Sequence, residues 1–178
     1  MKRYINGFFI IALFSLIATG CTKLREPVFT EGLVEFDAAA YHSKSGGFPF
    51  PLLNRVPAGY GRATSAAMDP VLTTRTTVDT VKMRINLVGA QRTTAETVTL
   101  KVSTTFSTAI EGTHFDLIDK TVTIPAQSSF AIARWVVRNP GAPAIGAPAT
   151  VQVVFELQGN ESLKPSENFK YLGWTISQ

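Results

Sequence analysis

Cysteine is nearly missing: Cys21 stands alone in 178 residues. No disulfide can close within the chain and no cysteine-rich metal site can form, so core packing must hold the fold. Histidine is almost as scarce, with only His42 and His114. No His–x–x–x–His pair exists, which removes the commonest helical zinc signature. There is no Gly–x–Ser–x–Gly elbow and no glycine-rich loop with phosphate-binding spacing. A hydrolytic triad would need one of the two histidines beside a serine and a carboxylate. His114 lies next to Phe115 in a turn, a setting that suits a bond to backbone. Beyond the first twenty residues no long apolar run occurs. No later segment sustains a 3.6-residue period, so helices are not expected.

What opens the chain is an address. Lys2 and Arg3 form a positive start, and an apolar stretch from Phe8 to Ala18 follows, broken only by Ser15. That is too short to span a bilayer, which takes about 20 apolar residues, and it reads as a signal peptide. Ala18, Thr19 and Gly20 lead into Cys21 and resemble a bacterial lipobox, with alanine at the place leucine usually takes. The resemblance implies cleavage before Cys21, a thioether-linked diacylglycerol and an acylated amine. The expected organisation is a signal peptide over 1–20, a lipidated tether over 21–32 and one domain over 33–178.

Removing the leader leaves 178 − 20 = 158 residues, enough for one real core. It also removes two cations, so the formal charge falls from +4 to +2. No two Lys or Arg are adjacent in the mature chain, and nucleic acid is not an expected partner.

The mature chain reads as all-β. Its organising stretch is 108–127, TAIEGTHFDLIDKTVTIPAQ: a small-residue turn, an aromatic, a polar corner, then a strand closed by Pro125. Strands are expected at Leu33–Phe36, from Val81 to Leu87, from Val98 to Val102, at Thr121–Ile124, at Phe130–Val137, over 151–157 and over 169–176. Residues Val81, Ile85, Val98, Leu100, Val102, Val122, Ile124, Val153, Phe155 and Leu157 are the expected core. Phe130–Val137 is apolar on both faces, and alternation does not say which is buried. Residues 139–148 hold three prolines and cannot form a central strand. Residues 159–168 read as a polar loop. About seven short strands with turn signals between them indicate a sandwich or barrel.

At Gly112-Thr113-His114-Phe115, followed by Ile124-Pro125-Ala126, the chain resembles a Calx-β domain. That family pairs a Gly–x–Asp–Tyr corner with a strand ending in Pro–Gly. The strand over 151–157 resembles the family's later Phe–x–Val–x–Leu strand. The resemblance covers about residues 77–157 and implies an immunoglobulin-like antiparallel β-sandwich without catalysis. Together with the lipobox, the whole resembles small Bacteroidota outer-membrane lipoproteins of unknown function, which often accompany glycan importers. Calx-β domains of exchangers bind calcium through an acidic cluster, and this chain departs there. His114 replaces the corner aspartate, and residues 139–150 carry no carboxylate. Glu111, Asp116 and Asp119 remain, fewer charged oxygens than calcium usually takes. No metal or other cofactor is expected.

The expected function is a non-enzymatic binding or accessory lipoprotein, anchored in the outer membrane through Cys21, on whichever face. Its expected partners are an importer or another envelope protein, or a glycan. Pairing of carboxylates is spatial and invisible here, so a small glycoside hydrolase stands as the alternative. Trp135 and Trp174 lie in strand patterns and are expected in the core rather than on a sugar platform. Residues 39–68 mix Gly and Pro with aromatics and cations. They are read as a functional loop or as hidden edge strands. Tyr41, Phe48, Phe50 and Tyr60 are the candidate contact residues, with packing over a sandwich edge as the alternative. Two short patterns, Asp79-Thr80-Val81 and Asn160-Glu161-Ser162, resemble glycosylation sequons.

Overall fold

The computed structural model describes residues 31–37, 40, 44–54, 80–138 and 145–177. All ten elements among them are strands: β1 (Leu33–Phe36), β2 (Leu52–Leu53), β3 (Thr80–Val88), β4 (Glu96–Val102), β5 (Phe115–Leu117), β6 (Thr121–Ile124), β7 (Phe130–Val137), β8 (Thr150–Gly159), β9 (Lys164–Pro165) and β10 (Tyr171–Ser177). They build two five-stranded sheets. Sheet A has the order β5-β7-β3-β1-β9 and sheet B the order β2-β10-β8-β4-β6. The chain is therefore an all-β, two-sheet sandwich.

Odd-numbered strands lie in sheet A and even-numbered ones in sheet B. Every connection between described elements crosses from one layer to the other, and no two consecutive strands pair. This explains why no two-residue Asn–Gly or Asp–Gly hairpin turn occurs between the strands. The expected corner is one such crossing: β5 leaves sheet A and β6 enters sheet B three residues later.

Alternation sets the core. In β3, Val81, Met83, Ile85 and Leu87 face inward and are buried, while Lys82, Arg84 and Asn86 face out. The facing side of β8 contributes Val151, Val153, Phe155 and Leu157. All the expected core residues are buried except Val102, which is partly buried against the cluster. At the centre, Trp135 and Trp174 are fully buried with ring centroids 5.3 Å apart. Phe155 joins them at 5.4 Å and 6.0 Å, and Phe115 packs edge-on to Phe155 at 5.9 Å. Such tilted and edge-on pairs add about 0.5–1.5 kcal/mol each beyond burial. The tryptophans are core, as expected.

The open question of β7 is answered by its partners. Ala131, Ala133, Trp135 and Val137 are buried, and Phe130, Ile132 and Arg134 are exposed. Small alanines leave room for the inner faces of the neighbouring strands, and Trp135 fills the space at the centre.

Three elements go beyond the seven expected. β2, β5 and β9 have only two or three residues each, too few for a visible period. Two of them pair parallel, β9 with β1 and β2 with β10, so the sheets are antiparallel except at these margins. The loop read over 159–168 contains β9. It opens at Gly159, where φ is 63° and an added Cβ would stand 2.2 Å from the Leu163 carbonyl oxygen. The Asn160 side-chain oxygen then accepts bonds from the Ser162 and Leu163 N–H groups at 2.8 and 2.7 Å. Sheet edges are short throughout, which denies another chain a long pairing template.

Candidate functional site

The two outer faces of the sandwich differ. The outer face of sheet B is partly closed by the chain itself. Phe50 is 1% exposed and Val154 fully buried, yet both lie outside the main core cluster. Around Phe50 stand Phe106 at 5.0 Å, Phe48 at 5.4 Å and Tyr171 at 5.9 Å between ring centroids. Burial pushes the Tyr171 phenol above its ordinary range. β2 ties this cover to the sheet, pairing Leu52 with Gly173. A Cβ on Gly173 would meet Leu52 Cδ1 at 2.9 Å and Val154 Cγ2 at 3.1 Å, so glycine allows the close approach without displacing those side chains. Hydroxyls complete the backbone pairing. Ser45 Oγ donates to the Leu52 carbonyl and accepts from its N–H at 3.0 and 2.9 Å. Ser107 Oγ accepts from the Val154 N–H at 2.9 Å.

This corrects one expectation. Phe50 is not a presented contact residue, because its ring is buried in a second, smaller cluster against Phe106 and Tyr171. Phe48 is half-buried on the same ring. The segment 44–54 thus supplies an edge strand and packing, the alternative reading for this stretch. Tyr41 and Tyr60 lie outside the described residues, as do His42 and Cys21.

The outer face of sheet A has no such cover among the described residues. Of the five exposed large apolar side chains, three stand together here: Phe130 at 42%, Ile132 at 40% and Ile118 at 47% exposure. Cross-strand register lays out the rest. Asn86 lies opposite Phe130, Arg84 opposite Ile132, Lys82 opposite Arg134 and Thr80 opposite Val136. On the margins, Asp116 of β5 lies opposite Val136, and Glu35 of β1 opposite Asn86. The outward positions of the two central strands, β3 and β7, therefore hold cations and apolar groups but no carboxylate. The acids sit to either side.

Those acids hold the cations in place. Arg134 grips Asp119 with two bonds of 2.8 and 3.0 Å, which lowers the Asp119 carboxyl below its ordinary range. Arg138 bonds Asp116. Arg84 donates to Asn86 Oδ1 at 3.0 Å, stands 3.8 Å from buried Asp37, and places its guanidinium 4.2 Å over the Phe130 ring. Asn86 in turn donates to Asp37 at 3.1 Å. Glu35 is different: burial raises its pKa, a bond to Ser166 opposes this, and Asp37 adds to the rise. Lys82 is exposed directly opposite Arg134, a like-charge pairing that costs stability in a ladder.

Catalytic geometry is not built at the corner. His114 Nδ1 accepts the Ile110 N–H at 2.9 Å, as expected for a turn histidine. Glu111 stands three residues before it, a metal-site spacing that sequence reading overlooked, but the carboxylate meets Lys120 at 3.0 Å. Among the described residues no group of three His, Cys, Asp or Glu stands close enough to hold a metal. A depression of about 210 Å³ carries Glu31 and Glu161 between Arg92 and Lys164. Both glutamates are exposed, unlike the desolvated acid that glycoside hydrolysis requires.

Fold and face together define a class: an all-β sandwich module whose described residues cover one outer face and leave the other open. More narrowly, residues 63–170 match a family described as a domain of unknown function, DUF4843. The match spans more than half of the chain, which belongs to that family. None of the curated proteins matches the chain. Among solved structures, the apo Calx CBD1 domain is similar at 16% identity and a TM-score of 0.43, over 55% of this chain and 80% of that one. A two-domain protein of unknown function from Bacteroides fragilis NCTC 9343 is similar at 8% identity and 0.45, over 83% and 45%. A protein from Bacteroides ovatus ATCC 8483, provisionally described as carbohydrate-binding, is similar at 11% and 0.42, over 56% and 31%.

Proposed function

We propose that this chain is a non-catalytic binding module of the cell envelope, anchored in the outer membrane by lipid on Cys21. It serves a nutrient importer or a surface assembly, and it meets its ligand with the outer face of sheet A. One observation carries the choice of face. Three exposed large apolar residues share it with a cation stripe, while Phe50 and Phe48, two of the four aromatics expected to make contact, pack over sheet B. Large apolar side chains among fixed polar ones are the usual make-up of a contact patch.

The enzyme reading has less support. The carboxylates of the corner and of sheet A's outer margin mostly bond cations or amides, and the exception, Glu35, bonds a serine hydroxyl rather than facing a second acid across a cleft.

Cys21→Ser should release the protein from the membrane fraction. A variant that stays processed and membrane-bound would defeat the anchor. For the face, Ile132→Asp should keep the melting temperature and lose partners co-purified from native membranes. Unchanged co-purification would move the contact surface elsewhere.

A further inference from the structure

We infer that the ligand of this face is an acidic saccharide lying along β3 and β7. This deepens the binding reading above and rests on it.

The argument begins with charge. Lys82, Arg84 and Arg134 occupy neighbouring outward positions on two paired strands, and Arg138 continues the row. Arg84, Arg134 and Arg138 each have a carboxylate beside them. Lys82 opposite Arg134 brings two cations together, and among the described residues the ion pair at this point is Arg134 with Asp119. An anionic group bridging Lys82 and Arg134 would relieve that repulsion and gain two charge-assisted bonds. Next to Arg134 on β7 stand Ile132 and Phe130, one and two outward positions away, an apolar strip on that strand. A sugar ring with a carboxylate matches both parts: its C–H face covers the apolar strip and its carboxylate reaches the cations.

The flanking acids distinguish a saccharide from an acidic peptide. Asp116 and Asp119 on one side and Glu35 and Asp37 on the other would repel the carboxylates of an acidic peptide, whose side chains offer those acids no donor in return. Sugar hydroxyls instead donate to carboxylates, and rigid Arg–Asp pairs present fixed acceptors to them. Peptide pairing at the margins is also disfavoured, since β5 has three residues and β9 two.

The test is affinity electrophoresis of the detergent-solubilised full-length protein in gels containing polygalacturonate, hyaluronate, dextran or poly-glutamate. At least one of the two acidic polysaccharides should retard it, with weaker retardation at high salt. Dextran and poly-glutamate should not. Lys82→Glu should weaken the interaction by about tenfold or more, the effect of losing a charge-assisted bond. Phe130→Ala should weaken it severalfold with unchanged melting temperature. Equal retardation by dextran overturns the acidic class. Stronger retardation by poly-glutamate overturns the saccharide. If neither acidic polysaccharide acts while Ile132→Asp still loses a membrane partner, this inference falls and the binding face stands. If Ile132→Asp loses nothing either, both fall.

Discussion

Glu35 and Asp119 lie on opposite margins of the same face and respond to pH with opposite sign. Burial raises the Glu35 pKa, so the folded state favours its neutral form. That contribution is fully present below the ordinary glutamate value of 4.5 and is lost as pH rises through the folded pKa. Arg134 lowers the Asp119 pKa, so its contribution is present above the ordinary aspartate value of 3.8 and is lost as pH falls through the folded one. Glu35→Gln keeps a partner for Ser166 and removes the half-buried charge beside Asp37. The variant should melt higher than the parent at about pH 7 and match it at about pH 4. A lower melting temperature at pH 7 would show that the charged carboxylate is itself stabilising. The Ser166 contact was not visible in sequence, because Ser166 reaches Glu35 only through the pairing of β1 with β9.

At the scale of elements, the cover over sheet B makes a measurable distinction between packing and presentation. Phe50→Ala removes a fully buried ring and should cost about 3 kcal/mol in chemical denaturation. Phe130→Ala removes an exposed ring held by one cation and should cost less than about 1 kcal/mol. Similar losses at both sites would mean that the two faces are not as different as their burial. Alternation made β3, β4, β6 and β8 readable, because one side of each is polar. β7 was readable as a strand but not in its buried face, since Ile132 and Phe130 on one side rival Trp135 and Val137 on the other. The place of Phe50 depends on Phe106, Gly173 and Tyr171, each more than fifty residues away, so composition marked it only as aromatic in a long loop. The cation stripe was hidden for the same reason: Lys82 and Arg134 come from strands 52 positions apart.

For the whole molecule, the corner charges among the described residues stand in ion pairs, and this decides the response to calcium. The resemblance to Calx-β domains makes calcium the obvious ion to consider. The three corner carboxylates are already engaged. Glu111 meets Lys120 at 3.0 Å, Asp116 bonds Arg138, and Asp119 holds Arg134 through two bonds. Calcium takes six to eight oxygens, several of them charged. Recruiting these three would break three ion pairs and bring Lys120, Arg134 and Arg138 close to a divalent cation. A ligand that binds the folded state stabilises it in proportion to the logarithm of its concentration over Kd. A millimolar ion with a Kd in the micromolar range would therefore raise the melting temperature by several degrees. Adding a few millimolar calcium should instead leave it within about one degree of the value in chelator. A larger rise, reversed by chelator, would mean that the corner opens its ion pairs to hold the metal.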